Sequence, residues 1–416
     1  MAETMREPAR DIPVVAEVDV LVCGGGPAGT AAAVAAARAG ARTMLVERYG
    51  CLGGLATGGL VIVLPPLTRD GDQVIGGIGQ ETLEALIASG EADYRSARGS
   101  SLFDPEGLKH LADQMCLQAG VRLRLHSWAV GVLGPRGRPE AVIVESKAGR
   151  EAIRTHTIVD CTGDGDIAVQ AGATWERDEK MIGMPFRLGN VNIERWNRAK
   201  SEDPEGTGKV FEAAHQAGGY ESYLGLSPFP IEPGVVWGND HLAPGDFLDP
   251  EVLTRMEVRG RRAARRVLEV LRAQMPGFEE AWLIDTAWQI GVRCTRRIQC
   301  LHRMTFEEFT AQAHHEDAVA LGNDFRKPDL VYEIPLRSLL PGGLDNVAVA
   351  GRCVGSDEEA MEALREIHCC WAMGEAAGAA AALAAERDCA LPQVPVAELQ
   401  TRLRDAGAVV DMPPRE

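Results

Sequence analysis

No two of the ten cysteines stand at CxxC spacing, so the chain spells out neither a zinc ribbon nor a thioredoxin-type redox centre. A ferredoxin-like cysteine run is also missing, which excludes a built-in iron–sulfur relay. The first residues, Met1 to Glu17, are charged and lack the apolar core of a secretory leader. The longest apolar runs, Ala31–Ala37 and Ala376–Ala385, are too short or too small-sided to cross a bilayer. Basic residues are outnumbered 43 to 60, and the net charge of -17 argues against a nucleic-acid partner and weakly against anionic lipid. Internal repeats and low-complexity stretches are absent. Reduced thiols in a cytoplasmic protein are the expectation.

With 416 residues, 45% of them apolar, the chain has material for two or three domain-sized units with buried cores. The apolar run Asp19–Cys23 reads as a buried parallel strand. Gly24-Gly25-Gly26-Pro27-Ala28-Gly29 follows it and satisfies GxGxxG. An Ala-rich helix is expected from Pro27 to Ala39, closed by Gly40, and a second strand over Arg42–Val46 ends in Glu47. Each part suits a dinucleotide. Gly24 permits the tight turn, Gly26 lets the backbone approach a pyrophosphate, and Gly29 lets helix and strand pack closely. The helix tip offers unpaired N–H groups, and Glu47 can accept hydrogen bonds from ribose hydroxyls. The motif alone does not separate FAD from NAD.

Three further segments bear on that choice. The glycine-rich loop Arg48–Gly59 carries Leu52 and Leu55, with Leu60 beyond it, and so reads as an ordered loop running close to a ligand. Thr157–Asp166 reads as a strand ending in a Gly-rich turn. Asn346–Cys353 reads as a strand and turn leading into a helix of small residues around Ala372–Ala381. That helix can sit close to the first Ala-rich helix and turn its positive end toward a reduced flavin.

In this order the GGGPAG turn, the CLGG loop, Gly76–Glu81, Phe103–Glu106, Asp160–Asp166, Gly291–Arg297, Tyr332–Leu339 and the AGRC strand resemble glutathione-reductase-type flavoproteins. More narrowly, the chain resembles FAD-dependent oxidoreductases related to fumarate reductase flavoprotein subunits. The resemblance implies an α/β fold: a Rossmann-type FAD-binding domain, a parallel sheet with helices on its faces, carrying an inserted α+β substrate domain. It implies one non-covalent FAD, although Cys51 offers a thiol for a covalent link. Residues expected at the cofactor are Gly24, Gly26, Pro27, Ala28, Gly29, Glu47, Arg48, Gly53, Gly54, Leu55, Thr57, Gly58, Val130, Thr162, Gly163, Asp164, Gly351, Arg352, Met373 and Gly374. The FAD domain is expected over 15–175 and 335–400, the substrate domain over 176–334, and a tail over 401–416, disordered from Pro413. The basic stretch Arg255–Arg272 reads as a solvated helix face.

Such an enzyme is expected to take a hydride from a small organic substrate to flavin N5, with a protein group accepting the heteroatom proton. Relatives often carry Thr-His-Glu shortly after AGRC; here Ser356-Asp357-Glu358-Glu359 stands there, so Glu358 occupies the histidine position. Glu358 and His368 are the acid–base candidates, with His302, His314 and His315 behind them. Arg293 and Arg337, with Arg296 and Arg297 nearby, could clamp a substrate carboxylate. The vicinal Cys369-Cys370 reads as two buried small hydrophobes rather than a redox disulfide. No metal site is expected. Reduction of an activated C=C bond is the alternative reaction. A flavin subunit relaying electrons to a separate acceptor protein is another, a homodimer is an open arrangement, and the acidic charge disfavours a tRNA-modifying flavoprotein.

Overall fold

The computed structural model describes residues 4–94, 100–324 and 326–413. The first apolar run forms strand β1 (Val14–Cys23), whose last four residues are fully buried. Pro27 opens helix α1 (Pro27–Arg38), where its missing N–H costs nothing. Strand β2 (Thr43–Val46) lies parallel to β1, and β3 (Arg122–Arg124) lies parallel to β2. Strands β4 (Trp128–Leu133) and β5 (Ala141–Ser146) form an antiparallel meander with the first half of β6 (Gly149–Asp160). The second half of β6 pairs in parallel with β1 on one side and with β7 (Val347–Val349) on the other.

The central sheet is therefore parallel where it matters. β1, β2, β6 and β7 all end at the same edge, at Cys23, Val46, Asp160 and Val349. That carboxyl edge is where ligands bind in open parallel sheets. The fold is α/β and Rossmann-type.

After β7 come helices α2 (Glu358–Leu364), α3 (Ile367–Arg387) and α4 (Val396–Asp405). Helix α3 crosses α1 so closely that a Cβ on Gly374 would lie 2.1 Å from the Ala28 carbonyl oxygen, and one on Gly378 2.1 Å from that of Ala32. Glycine and alanine along both helices let the two backbones touch. The span expected as a tail begins inside α4, and Leu403 and Val410 are buried in the main core; residues 414–416 lie outside the described residues.

A second core draws on residues from Ile182 to Ile290, with Leu60 from the glycine-rich loop. Its sheet is antiparallel, in the order 224–228, 236–240, 186–189, 282–286, and helix Pro250–Gln274 covers it. That helix buries Met256, Gly260, Ala263, Ala264, Val267 and Leu271 at helical spacing and leaves Arg255, Arg261, Arg262, Arg265, Arg266 and Arg272 in water. Ile298, Met304, Phe306, Phe309 and all but the last residue of the hairpin Ala318–Asp324/Lys327–Pro335 also lie within 176–334, yet they pack into the first core.

Glu375 is a carboxyl inside this packing. It is 3% exposed and accepts the Ile78 N–H at 3.0 Å, and burial pushes its pKa up to about 7. A carboxyl raised on folding contributes its stability below its unfolded pKa and loses it as pH rises through the folded value. Glu375→Gln keeps the acceptor and removes the titration. Stability of the variant relative to the native chain is expected to rise by about 3 kcal/mol at most between pH 4 and pH 8, at 1.36 kcal/mol per unit. Urea unfolding at the two pH values checks it; a difference independent of pH would show that folding does not shift the Glu375 pKa.

Candidate active site

Four strand ends open on one crevice. Gly24 after β1, Glu47 after β2, Cys161–Gly163 after β6 and Ala350–Arg352 after β7 all line a cavity of about 670 Å3. Gly24 has φ +100°, and a Cβ there would stand 2.4 Å from the Cys161 carbonyl oxygen. A Cβ on Gly29 would stand 1.8 Å from the Gly24 carbonyl oxygen. Gly26 differs: its nearest neighbour would be Gly54 Cα at 3.9 Å, so bare backbone faces open space. Helix α1 has no side chain capping its N-terminus, and its first N–H groups and positive dipole end meet the cavity. This is a site for an anion, and a diphosphate suits it.

The carboxylate of Glu47 is held in place on this wall. Oε2 accepts the Gly25 N–H at 2.6 Å and Oε1 the Tyr49 N–H at 2.8 Å. Below the β6 turn, buried Asp160 accepts N–H bonds from Thr162, Ile167 and Ala168 and the Thr162 hydroxyl, while burial lifts its pKa to about 6. Asp164 pairs with Arg352 at 3.3 Å and accepts the Thr295 hydroxyl at 2.5 Å, which joins the β6 and β7 turns. The glycine-rich loop is pinned between the two cores. Trp237 Nε1 donates to the Leu60 carbonyl at 2.9 Å, and the Gln289 N–H donates to that of Gly58 at 3.1 Å.

Residues 19–403 match the family model described as FAD dependent oxidoreductase. The chain belongs to that family. FAD is its cofactor, and the protein is an FAD-dependent enzyme. Among solved structures, a geranylgeranyl bacteriochlorophyll reductase-like protein from Thermoplasma acidophilum matches with a TM-score of 0.51 and 14% identity, over 94% of this chain and 84% of its own. The likeness shows a shared fold. A p-nitrophenol 4-monooxygenase from Pseudomonas putida gives a TM-score of 0.45 and 12% identity, over 94% of this chain and 84% of its own. Comparison with curated proteins by sequence returned no match. No helix among the described residues of this flavoprotein is long and apolar enough to cross a membrane.

The residues expected at the cofactor divide in two. Gly24, Gly26, Pro27, Ala28, Glu47, Arg48, Gly54, Leu55, Thr162, Gly163, Gly351 and Arg352 line the cavity. Gly29, Gly53, Thr57, Gly58, Asp164 and Gly374 stand behind that lining: Thr57 donates to the Leu52 carbonyl, and Gly58 meets the Trp288 ring. Met373 is fully buried, Val130 lies half-buried on β4, and neither reaches the cavity.

Of the catalytic candidates, Arg293 is the one on the cavity wall. The Glu358 side chain is 68% exposed and faces Lys180 at 3.6 Å. Arg337 forms a two-pronged pair with Asp317 outside the cavity. His368 is fully buried, bonds Asn323 Oδ1 at 2.5 Å, and is held by burial at a pKa of about 4. Cys369 and Cys370 are both buried free thiols whose pKa values burial raises.

Apart from Arg293, the far half of the cavity carries charges that no motif announces. Arg326 is bound by Asp324 at 2.6 Å, and Arg365 by Glu362 at 2.8 Å and Glu366 at 3.5 Å. Arg293 has no salt-bridge partner among the described residues, and burial, followed by Arg365, lowers its pKa. His241 stands on the same wall with Nδ1 2.9 Å from Ser222 Oγ. Burial, then Arg293 and Arg365, depress its pKa to about 4, so the imidazole is neutral near pH 7. Asp240 accepts the Met184 N–H at 2.9 Å, and burial raises its pKa to about 7. Helix α3 also begins here, uncapped by any side chain, with Ile367 and Cys370 on the wall.

Proposed function

We propose that this flavoenzyme oxidises a small organic anion bearing an alcohol or amine beside the reacting C–H. FAD is held without a covalent bond, its diphosphate on the Gly24–Ala28 turn and the α1 tip, its ribose on Glu47. When bound, the flavin supplies the two-electron chemistry. Arg293 binds the anionic group of the substrate through its planar fork. His241, neutral and oriented by Ser222, accepts the heteroatom proton on its other ring nitrogen. The uncapped start of α3 turns the positive end of its dipole to the cavity, where negative charge is stabilised.

The observation that carries this reading is Arg293: a guanidinium with no salt-bridge partner among the described residues, beside a neutral imidazole, on the wall of the cavity that also holds the glycine turn. Anaerobic mixing with a panel of hydroxy acids, amino acids and uncharged alcohols, followed by loss of flavin absorbance, tests it. Bleaching by acids is expected; bleaching only by uncharged alcohols removes the anion clamp from the account. The lowered pKa of Arg293 favours one second reading, proton donation in the reduction of an unsaturated acid. Reoxidation of the reduced protein by such an acid would distinguish it.

A further inference from the structure

Outside the cavity, three chain segments bring metal-binding side chains together. His302 lies in the turn after strand Arg296–Ile298, Glu308 in helix Phe306–Ala311, and His315 in the turn after that helix. One ligand atom of each lies within 4.8 Å of the other two. His302 Nε2 stands 3.3 Å from Glu308 Oε1, yet it is sealed from solvent and makes no hydrogen bond. A polar pair at that distance without hydrogen-bond alignment has the spacing of two ligands on one ion. With zinc bonds of about 2.0–2.1 Å, neighbouring corners of a tetrahedron stand about 3.3–3.4 Å apart.

We propose that His302, Glu308 and His315 bind a divalent transition-metal ion, zinc foremost, with water in the fourth position. Two imidazoles and a carboxylate suit zinc, whereas magnesium and calcium prefer all-oxygen shells. The segments that carry the ligands are anchored by hydrogen bonds of their own. Glu308 belongs to a capping box: its Oε2 accepts the Thr305 N–H at 2.9 Å, which leaves Oε1 to face His302. The His302 backbone N–H donates to the Arg337 carbonyl at 3.2 Å, and the His315 backbone N–H to Glu333 Oε2 at 2.6 Å. His314 turns away to Glu333 Oε1 at 3.0 Å and is no ligand. All three ligand residues are half-buried. None lines the cavity; the ion ties both turns to the helix, beside the hairpin that presents Arg326 to the cavity. The inference is independent of the substrate reading above.

The test uses the FAD-loaded protein, stripped with a chelator and titrated with Zn2+ by calorimetry and with Co2+ by visible absorption. One equivalent of each should bind, Co2+ with the intense bands of a tetrahedral site, and Zn2+ should raise the unfolding temperature. The double variant His302→Asn/His315→Asn should bind Zn2+ more than about 100-fold more weakly, beyond the 10–100-fold that losing an outer partner costs. His314→Asn should bind as the native chain does. Glu308→Gln keeps the cap, so its fold is safe, and it too should lose affinity. Failure of the native chain to bind Zn2+, native affinity in the double variant or in Glu308→Gln, or only the weak bands of oxygen-ligated Co2+ would each overturn the proposal.

Discussion

Gly374→Ala is expected to destabilise the protein by about 3 kcal/mol or more and to strip most of its flavin, although alanine is the better helix former by about 1 kcal/mol. The added methyl would sit 2.1 Å from the Ala28 carbonyl oxygen and 2.8 Å from Ala28 Cα. Those are backbone atoms of the opposing helix, so no side chain can rotate aside, and α1 and α3 must separate along their whole contact. A loss of that size is a large part of the 5–15 kcal/mol that holds an ordinary domain together. Ala28 also lines the cavity, so the shift reaches the phosphate end of the site. Gly208 supplies the contrast. It is exposed within helix Pro204–Gly218, a Cβ there would meet nothing within 4 Å, and Gly208→Ala should gain up to about 1 kcal/mol. Calorimetry of both variants and the ratio of flavin to protein absorbance check the pair. An unchanged melting temperature in Gly374→Ala would mean that the helices are not in contact as described.

What sequence reveals here follows the distance over which each feature is built. The strand, glycine turn, helix and acidic residue from Asp19 to Glu47 are contiguous, so their local patterns are enough to assemble the phosphate end of the site. The small residues of α3 likewise announce a close neighbour. The substrate end is assembled from segments far apart in the chain, and there order along the chain misleads. Glu358 follows the β7 turn, but Asp357 caps α2 and sends Glu358 outward to Lys180. His368 opens α3, where Ile367 and Cys370, three residues apart, face the cavity; one step round the helix, His368 meets Asn323 instead. Arg337 is met by Asp317, twenty residues away and across a strand pair. His241 follows the end of a strand of the antiparallel sheet, with no motif around it, and only tertiary packing places it beside Arg293.

Arg293→Gln is expected to keep its FAD and to lose reduction by anionic substrates by about 100-fold or more, since removing one partner of a buried charge pair costs about 2–5 kcal/mol. The pH profile should move with it. A base works when deprotonated, so the rate falls on the acid side as pH drops through the pKa of His241, about 4 in the native protein. Burial is the first cause of that low value and Arg293 the second. Without Arg293 one like charge is gone, the imidazolium costs less, and the acid limb should shift upward, part of the way toward 6.5. Arg293→Lys separates the two roles. It keeps the charge, so the limb should stay low, but it loses the planar fork, so saturation should need more substrate. Flavin reduction in stopped flow across a pH series reads both quantities. A slowed Arg293→Gln enzyme with an unmoved limb would leave Arg293 as a substrate clamp and take the proton-accepting role from His241; an unslowed one would remove the clamp itself.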